Sequence, residues 1–492
     1  MSRRRFWPRM KNFLLQLGEQ DGIGATATMI VKDKKRIVIE HGIGFSKNGE
    51  IKINNRPAGD YLVGTRIDLI ILTHRHYDHI GAMARFIALH PEAEVVMSYE
   101  VHQLGIIVLE DSYKIQHGER RKAEMAGLPL PEEIVSLEDI DIFKKLPNEG
   151  GTIIKGNAWL DSHPKWIGWK LGFHHSGHDT GSLMVFIKTP SGDRIVYTSD
   201  VASHDQKIVK GVMMPDQEFI GDFFTGDGKT IMITEATNGN RPMVEIPERV
   251  EARMIAVTKT VIQRGGIALY PSFAGNRCAN NVWSLCEAGI LTVLDGLACD
   301  FVRIEIPGTL VDQWVKEGKL IIVKGPDRKL SRELREKIVR GDFGPCAIVT
   351  SSATMEKGHA PWYGSKLLDN PLNALIFTGH MFEDSIGEQI RTDALVERGR
   401  TIKLEIFVGQ GRDSRLEKVP VNVRCDVYHF DRTSHDKQGG LVERIRLVRP
   451  DHLIVHHCKK DGYEGLMNAV IASPHIKTPR ISRATHLTPI EL

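Results

Sequence analysis

The densest set of residues able to do chemistry is the run LTHRHYDHIG at 72–81. It places His74, His76, Asp78 and His79 within six positions. Imidazole and carboxylate are ligands that Zn2+ accepts. In extended chain, residues two apart point to the same side, so His74 and His76 can share one ion. Asp78 and His79 stand where the chain turns into a helix. One loop therefore supplies four donors. A histidine-rich loop that only caps a helix is the alternative, and the order of these residues after an apolar strand argues against it.

Two ions need more donors than one loop holds. The stretch HHSGHDTGSLMVF at 174–186 offers His178 on a glycine-rich turn before a strand. The stretch IVYTSDVASHD at 195–205 offers Asp200 at a strand end, where a carboxylate could bridge two ions. Taken singly, each is an ordinary turn residue. Beside the first motif they complete a ligand set.

The elements that must position these groups are short. Ala27–Val31 and Arg36–Glu40 read as paired strands around the turn 32–35, and Ile67–Thr73 as a buried strand. A helix over Gly81–Leu89 follows, stopped by Pro91. Ser182–Lys188 and Arg194–Thr198 read as strands joined by the turn at 190–193. From Pro247 onward helices alternate with the strands Ile267–Tyr270, Ala347–Thr350 and Ala374–Thr378, a rhythm that implies an α/β unit with a parallel sheet. The chain then returns to a strand at Val421–Phe430, a helix at Gly439–Val448 and a strand at His452–His456.

THRHYDH, then SGHDTGS, then YTSD resembles the metallo-β-lactamase superfamily in motif type and order. The family pattern begins with an aspartate ending an early strand; here IVIEHG puts Glu40 in that place. Farther on, ITEATNG at 233–239, RGGIALYPSFAGNR at 264–277, HFDRTSHD at 429–436 and RPDHLIVHHC at 449–458 resemble the β-CASP nucleases of that superfamily. The resemblance implies an α/β fold: a metallo-β-lactamase αββα sandwich with an inserted α/β β-CASP domain. The expected boundaries are 1–237 and 406–492 for the two parts of the sandwich and 238–405 for the insert.

The resemblance also implies roles. One zinc ion would be held by His74, His76 and His178, and a second by Asp78, His79 and His457, with Asp200 between them. The closing histidine falls seven places after Pro450, at His457, where the family continues Gly-Glu and this chain has Cys458-Lys459. His456 would face the other way in a continued strand. Two Zn2+ sharing a water would lower its pKa, and the resulting hydroxide would attack phosphorus. His435 would protonate the leaving ribose oxygen, oriented by Glu235. Asp78 is counted among the catalytic residues as well as the ligands. Arg277, Ser351 and Ser352 are the expected phosphate contacts. Arg328, Arg332 and Arg335 look basic, but Glu333 and Glu336 among them suggest a solvated helix face.

The expected protein is thus a zinc-dependent ribonuclease, with RNA as partner. DNA processing within the same superfamily, or a non-catalytic RNA-binding relative, are the alternatives. A histidine at the last motif goes with the RNA-cutting members. Composition neither adds to this nor opposes it. Lys plus Arg is 65 against 62 for Asp plus Glu, a net of +3, so any RNA-binding charge must be gathered locally. No apolar run approaches a membrane span, and Phe13–Leu17 after the basic start is too short for a signal-peptide core. Six scattered cysteines form no C-x-x-C pair. A cytoplasmic protein is expected; a homodimer is carried as an open expectation.

Overall fold

In the N-terminal half the strands are short and mostly buried on both faces, so each must be covered from two sides. In the computed structural model, which describes residues 11–18, 24–44, 62–160, 164–324, 328–396, 399–408 and 415–492, two seven-stranded sheets achieve this by stacking. The first runs Ile490–Glu491, Phe13–Gln16, Thr28–Lys32, Lys35–Ile39, Leu69–Leu72, Glu94–Ser98, Thr152–Ile154. The second runs Arg480–Arg483, His452–His456, Thr230–Glu235, Arg194–Tyr197, Leu183–Lys188, Lys170–His175, Ala158–Leu160.

Between the sheets lies one apolar layer, with Ile37, Ile39, Leu69, Ile71 and Val96 from the first sheet and Phe173, Val185, Ile195, Ile233 and Ile454 from the second. Each such side chain stabilises the stack by roughly 1.5–3 kcal/mol relative to exposure. The outer face of the first sheet is covered by the helices Met83–Leu89, Tyr99–Met125 and Leu137–Lys145. Gln438–Val448 and Lys460–Ala472 cover that of the second. The result is the expected helix–sheet–sheet–helix sandwich.

The chain leaves the sandwich after Thr230–Glu235 and builds a six-stranded parallel sheet in the order Leu320–Ile322, Thr292–Asp295, Ala347–Thr350, Ala268–Pro271, Ala374–Phe377, Asp426–His429. Apolar clusters cover both faces. The connection after Ala268–Pro271 leads to one side of the sheet and that after Ala347–Thr350 to the other. The loops at these neighbouring strand ends diverge, which opens a crevice at their carboxyl ends.

The structure departs from expectation at four places. Val421–Phe430 is not one strand. Val421 belongs to the hairpin of Thr401–Val408 with Arg415–Asn422, whereas Asp426–His429 joins the parallel sheet. Between them Val423 N donates to Arg400 O, and Arg424 N and Cys425 N donate to Leu368 O, so loop carbonyls satisfy the backbone while it changes sheets. For the same reason the parallel sheet reaches beyond the expected limit at 405. The 27-residue helix Tyr99–Met125 was not anticipated. Its start is signalled by Ser98, whose Oγ accepts from Val101 N at 3.1 Å, but charged residues crowd its second half and hide an apolar stripe. Phe13–Gln16 is a strand paired with Thr28–Val31. The basic segment before it, at 1–10, lies outside the described residues.

Candidate metal centre

The buried strand Leu69–Leu72 delivers its last residues to the rim of the sandwich, and the chain stays extended until His76, at φ −61° and ψ 146°. His74 and His76 thus stand on one side of the backbone, as their spacing requires. A four-residue helix, Tyr77–Ile80, then carries Asp78 and His79. Its approach to the neighbouring strand end is close: a Cβ at Gly42 would sit 1.6 Å from the Asp78 carbonyl oxygen. Only glycine fits there.

Seven expected ligands meet at this rim. His74, His76, His178 and Asp200 offer donor atoms within 4.8 Å of one another, and so do Asp78, His79 and His457. Asp200 lies between the two sets. Its Oδ2 is 3.5 Å from Nε2 of both His74 and His178 and 3.4 Å from Nε2 of His79. Its Oδ1 is 3.3 Å from Nδ1 of His457. His178 Nε2 faces His76 Nδ1 at 2.9 Å, and His457 Nε2 faces Asp78 Oδ2 at 3.2 Å. His457 adopts φ 47°, so the chain leaves strand geometry there and its ring turns to Asp78. His456 instead packs its ring against Tyr197, with centroids 5.2 Å apart.

Burial pushes the imidazoles of His74, His76 and His178 down to about 4, 3 and 3. They are neutral at pH 7, the form that binds a metal. For His79, burial is outweighed by Glu40, Asp200 and Asp78, and its pKa is pushed well above the ordinary value. Three carboxylates thus converge on a point that calls for positive charge, from a proton or from a cation. His74 Nε2, His79 Nε2 and Asp200 Oδ1 are buried with no hydrogen-bond partner. Buried polar atoms are ordinarily satisfied. This donor set fits divalent ions of the zinc class.

Glu40 stands behind the ligand layer. Tyr197 Oη donates to it at 2.6 Å and Ser199 Oγ at 2.9 Å, Thr73 Oγ1 also donates, and His79 Nδ1 lies 3.0 Å away. Burial would raise its pKa, but the His79 and His74 imidazoles hold it at about 2. The carboxylate therefore orients His79 and leaves Nε2 facing the cluster, the usual arrangement behind a metal-binding histidine. The Ser434 carbonyl does the same for His178, accepting from Nδ1 at 2.8 Å.

At the edge, His435 Nδ1 lies 2.8 Å from Glu235 Oε1 and its Nε2 3.9 Å from Asp200 Oδ2. Its side chain keeps 18% of its surface exposed, so it can meet a substrate. Burial opposes its charge, but Glu235 and Asp200 win and raise it to about 9. It therefore carries a proton at neutral pH.

The expected phosphate contacts fall in two places. Arg277 begins the helix Arg277–Glu287 and is 7% exposed. Among the described residues no carboxylate lies within 4.0 Å of it, and burial, with Arg432 nearby, lowers it to about 9. It borders a pocket shared with His204, Asn280, Thr433 and Lys437. Ser351 and Ser352 end the strand Ala347–Thr350, where the Ser351 carbonyl accepts from His359 N and Ala360 N, both at 3.0 Å. They belong to the crevice of the parallel sheet and make no contact with the histidines of the metal cluster. The arginine stripe is not simply solvated: Arg335 turns inward and pairs with buried Asp295 through Nε at 2.5 Å and Nη2 at 2.9 Å.

Several supporting residues escaped sequence analysis. Arg75, between two of the histidines, pairs with Asp179 at 2.9 Å and with Glu305 of the insert. Asn276 Nδ2 donates to the His178 carbonyl at 3.0 Å and to Asp179 Oδ1 at 3.2 Å. A Cβ at Gly275 would stand 1.8 Å from Arg75 Nη1, so the insert's loop rests on the metal loop. Arg75 and Asp179 are signalled in the sequence only by adjacency to expected ligands, Asn276 only by its place in the motif at 264–277, and Glu305 by nothing local.

Residues 21–202 match the Metallo-beta-lactamase superfamily. The chain is 25% identical over 446 residues to "Probable RNase MJ4" of Methanocaldococcus jannaschii, covering 88% of this chain and 90% of that protein. It is 22% identical to cleavage and polyadenylation specificity factor 73 of Drosophila melanogaster, covering 94% of this chain and 62% of the fly protein. A crystal structure of a protein of unknown function from Enterococcus faecalis V583 superposes with a TM-score of 0.55 at 12% identity, over 98% of this chain and all of the other, which shows the shared fold. Residues 21–202 thus form a metallo-β-lactamase superfamily domain, the chain is similar over most of its length to proteins named as an RNase and an RNA-processing factor, and it is a metal-dependent hydrolase.

Proposed function

We propose that this protein is a zinc-dependent ribonuclease that hydrolyses phosphodiester bonds in RNA with two ions. The observation that carries this is the convergence of five imidazoles and two carboxylates on one buried point, with a protonated histidine at its open edge. His74, His76 and His178 would hold one ion, Asp78, His79 and His457 the other, and Asp200 faces both sets. A pair of divalent ions in this place supplies charge that makes a water acidic near neutral pH and offsets charge on the phosphate oxygens.

The remaining work falls to side chains of the chain itself. Glu235 holds His435 by Nδ1 and so aims Nε2 at the cleft. The Nε2 proton would pass to the leaving ribose oxygen. Arg277, a buried cation with no carboxylate within 4.0 Å among the described residues, gains from an anionic partner and would bind a backbone phosphate. The similarity to a protein named as a probable RNase supports RNA as the substrate. Six buried free cysteines fit a reducing, cytoplasmic setting. Among the described residues no helix is long and apolar enough to cross a membrane. We take the inserted domain to begin near 238 and to include Asp426–His429.

The test is incubation of metal-loaded protein with end-labelled single-stranded RNA and with DNA of the same sequence. RNA should be cut and DNA much less. Equal or faster cleavage of DNA would move the protein to DNA processing. Binding of RNA without any cleavage would make it a non-catalytic relative. Elemental analysis should find about two zinc ions per chain. No metal, even after zinc addition, would sink the assignment.

A further inference from the structure

The segment that carries His435 is tied to both halves of the molecule. On one side Arg432 is gripped by the insert. Its Nη2 donates to Glu251 Oε2 at 2.8 Å and to Ser284 Oγ at 3.3 Å, and its Nη1 donates to Asn281 Oδ1 at 3.0 Å. Glu251 lies on the helix Pro247–Gln263, and Asn281 and Ser284 on Arg277–Glu287. Asn281 in turn donates to Ser272 Oγ at 3.0 Å and Thr378 Oγ1 at 2.8 Å, at two strand ends of the parallel sheet. The arginine is thus fixed to the body of the insert, and its side chain is only 8% exposed.

On the other side Asp436 is gripped by the sandwich. Its Oδ1 accepts from Ser203 N at 2.7 Å and Ser203 Oγ at 2.6 Å, its Oδ2 accepts from Arg444 Nη2 at 2.7 Å, and its own N donates to Val201 O at 2.7 Å. Between the anchors His178 donates to Ser434 O, His204 Nε2 lies 2.9 Å from Thr433 O, and His435 N donates to Thr433 Oγ1 at 3.1 Å. The anchors lie four positions apart, at most about 14 Å of chain. A shift of the insert must therefore move His435 and Ser434 together.

We propose that Arg432 is a positioning residue through which the inserted domain sets His435 against the leaving oxygen. The inference rests on the proposed role of His435 as proton donor. A misplacement of such a group by about 1 Å can cost on the order of 100-fold in rate. Arg432→Lys keeps the charge and loses the planar fork that reaches three partners at once. Glu251→Gln weakens the grip from the insert and leaves the segment itself intact.

The experiment compares zinc-loaded wild type, Arg432→Lys, Glu251→Gln, His435→Ala and the double variant Arg432→Lys/His435→Ala. Each is assayed on single-stranded RNA and on bis-p-nitrophenyl phosphate, whose aryloxide departs without a proton. The expected result is a fall in kcat on RNA of about 10- to 100-fold for both single anchor variants, with KM and zinc content little changed. The loss on the aryl ester is at least about 10-fold smaller, because protonation of the leaving group no longer matters. The double variant is no slower on RNA than His435→Ala alone. Equal losses on both substrates, or additive losses in the double variant, make Arg432 merely structural and overturn the proposal while leaving His435 as the donor. Should Arg432→Lys fail to fold, as read by thermal melting, Glu251→Gln carries the same comparison. If His435→Ala cuts RNA at the wild-type rate, the donor role and this inference fall together.

Discussion

Two buried polar clusters sit at the carboxyl ends of strands in this molecule, and they differ in what they leave over. At the end of Thr292–Asp295, Asp295 takes Nε and Nη2 of Arg335, Tyr363 Oη at 2.9 Å and Gly296 N at 2.7 Å. Arg335 Nη2 also reaches His359 Nε2 at 3.0 Å. One positive and one negative charge cancel, and both Asp295 oxygens are satisfied. At the end of Leu69–Leu72 the histidine cluster keeps His74 Nε2, His79 Nε2 and Asp200 Oδ1 without hydrogen-bond partners. Carboxylates there outnumber the cations that could neutralise them. Buried charge is therefore no sign of a site by itself; surplus donor atoms aimed at one point are. A closed pair is costly to break, and an open cluster is fitted to take a ligand.

The largest effect that would break this contrast is expected in the open cluster. His76→Ala should lower zinc content and abolish RNA cleavage, measured by elemental analysis and single-turnover rate. Full metal content in this variant would remove His76 from the ligand set.

Next comes His435→Ala, expected to slow cleavage by roughly 100- to 10,000-fold. Zinc content and RNA affinity should stay near wild type. Loss of zinc would make His435 a ligand and collapse the distinction between the metal centre and its rim.

The closed cluster should respond in stability alone. Asp295→Ala leaves the partly buried Arg335 guanidinium unpaired and should cost about 2 kcal/mol in unfolding free energy, read by denaturant titration, with zinc per folded chain unchanged. The pH dependence follows from the same pair. Burial opposes the charge of Asp295, but Arg335 and His359 hold it below the usual carboxylate range. Its contribution is complete above the unfolded carboxylate value near 4 and fades as pH falls through the lower folded value. The variant should thus lose the part of acid unfolding that depends on this group. A steeper acid transition than wild type would contradict the assignment.

The smallest effect concerns Arg277. Arg277→Gln should weaken RNA binding about 10-fold and reduce the slope of log affinity against log salt by about 1. An unchanged slope would mean that Arg277 meets no phosphate.

Much of the ligand loop is legible in the sequence. His74, His76, Asp78 and His79 lie within six positions, and local geometry alone decides that they can converge. Their neighbours are not legible in that way. Arg75 looks like a spacer between histidines, yet it pairs with Asp179 and with Glu305, the latter 230 residues away along the chain. Arg335 shares a helix with exposed charges, and only the position of Asp295 decides that it points inward. Val421–Phe430 has the composition of one strand, and the carbonyl of Leu368 decides that it is two.

By itself the sequence determined the periodicity of the strands and the order of the histidine and aspartate motifs, local properties set by side-chain type and by spacing along the backbone; the insert between Glu235 and His435 was legible only through the resemblance to the β-CASP nucleases. Tertiary structure decided which of His456 and His457 faces the cluster, because a left-handed turn at His457 breaks the alternation of the strand. It also decided that Glu40 serves behind His79, since its neighbours Tyr197 and Ser199 arrive from a different sheet. Contacts between residues far apart in the chain depend on how sheets stack and twist, and no local pattern encodes that distance.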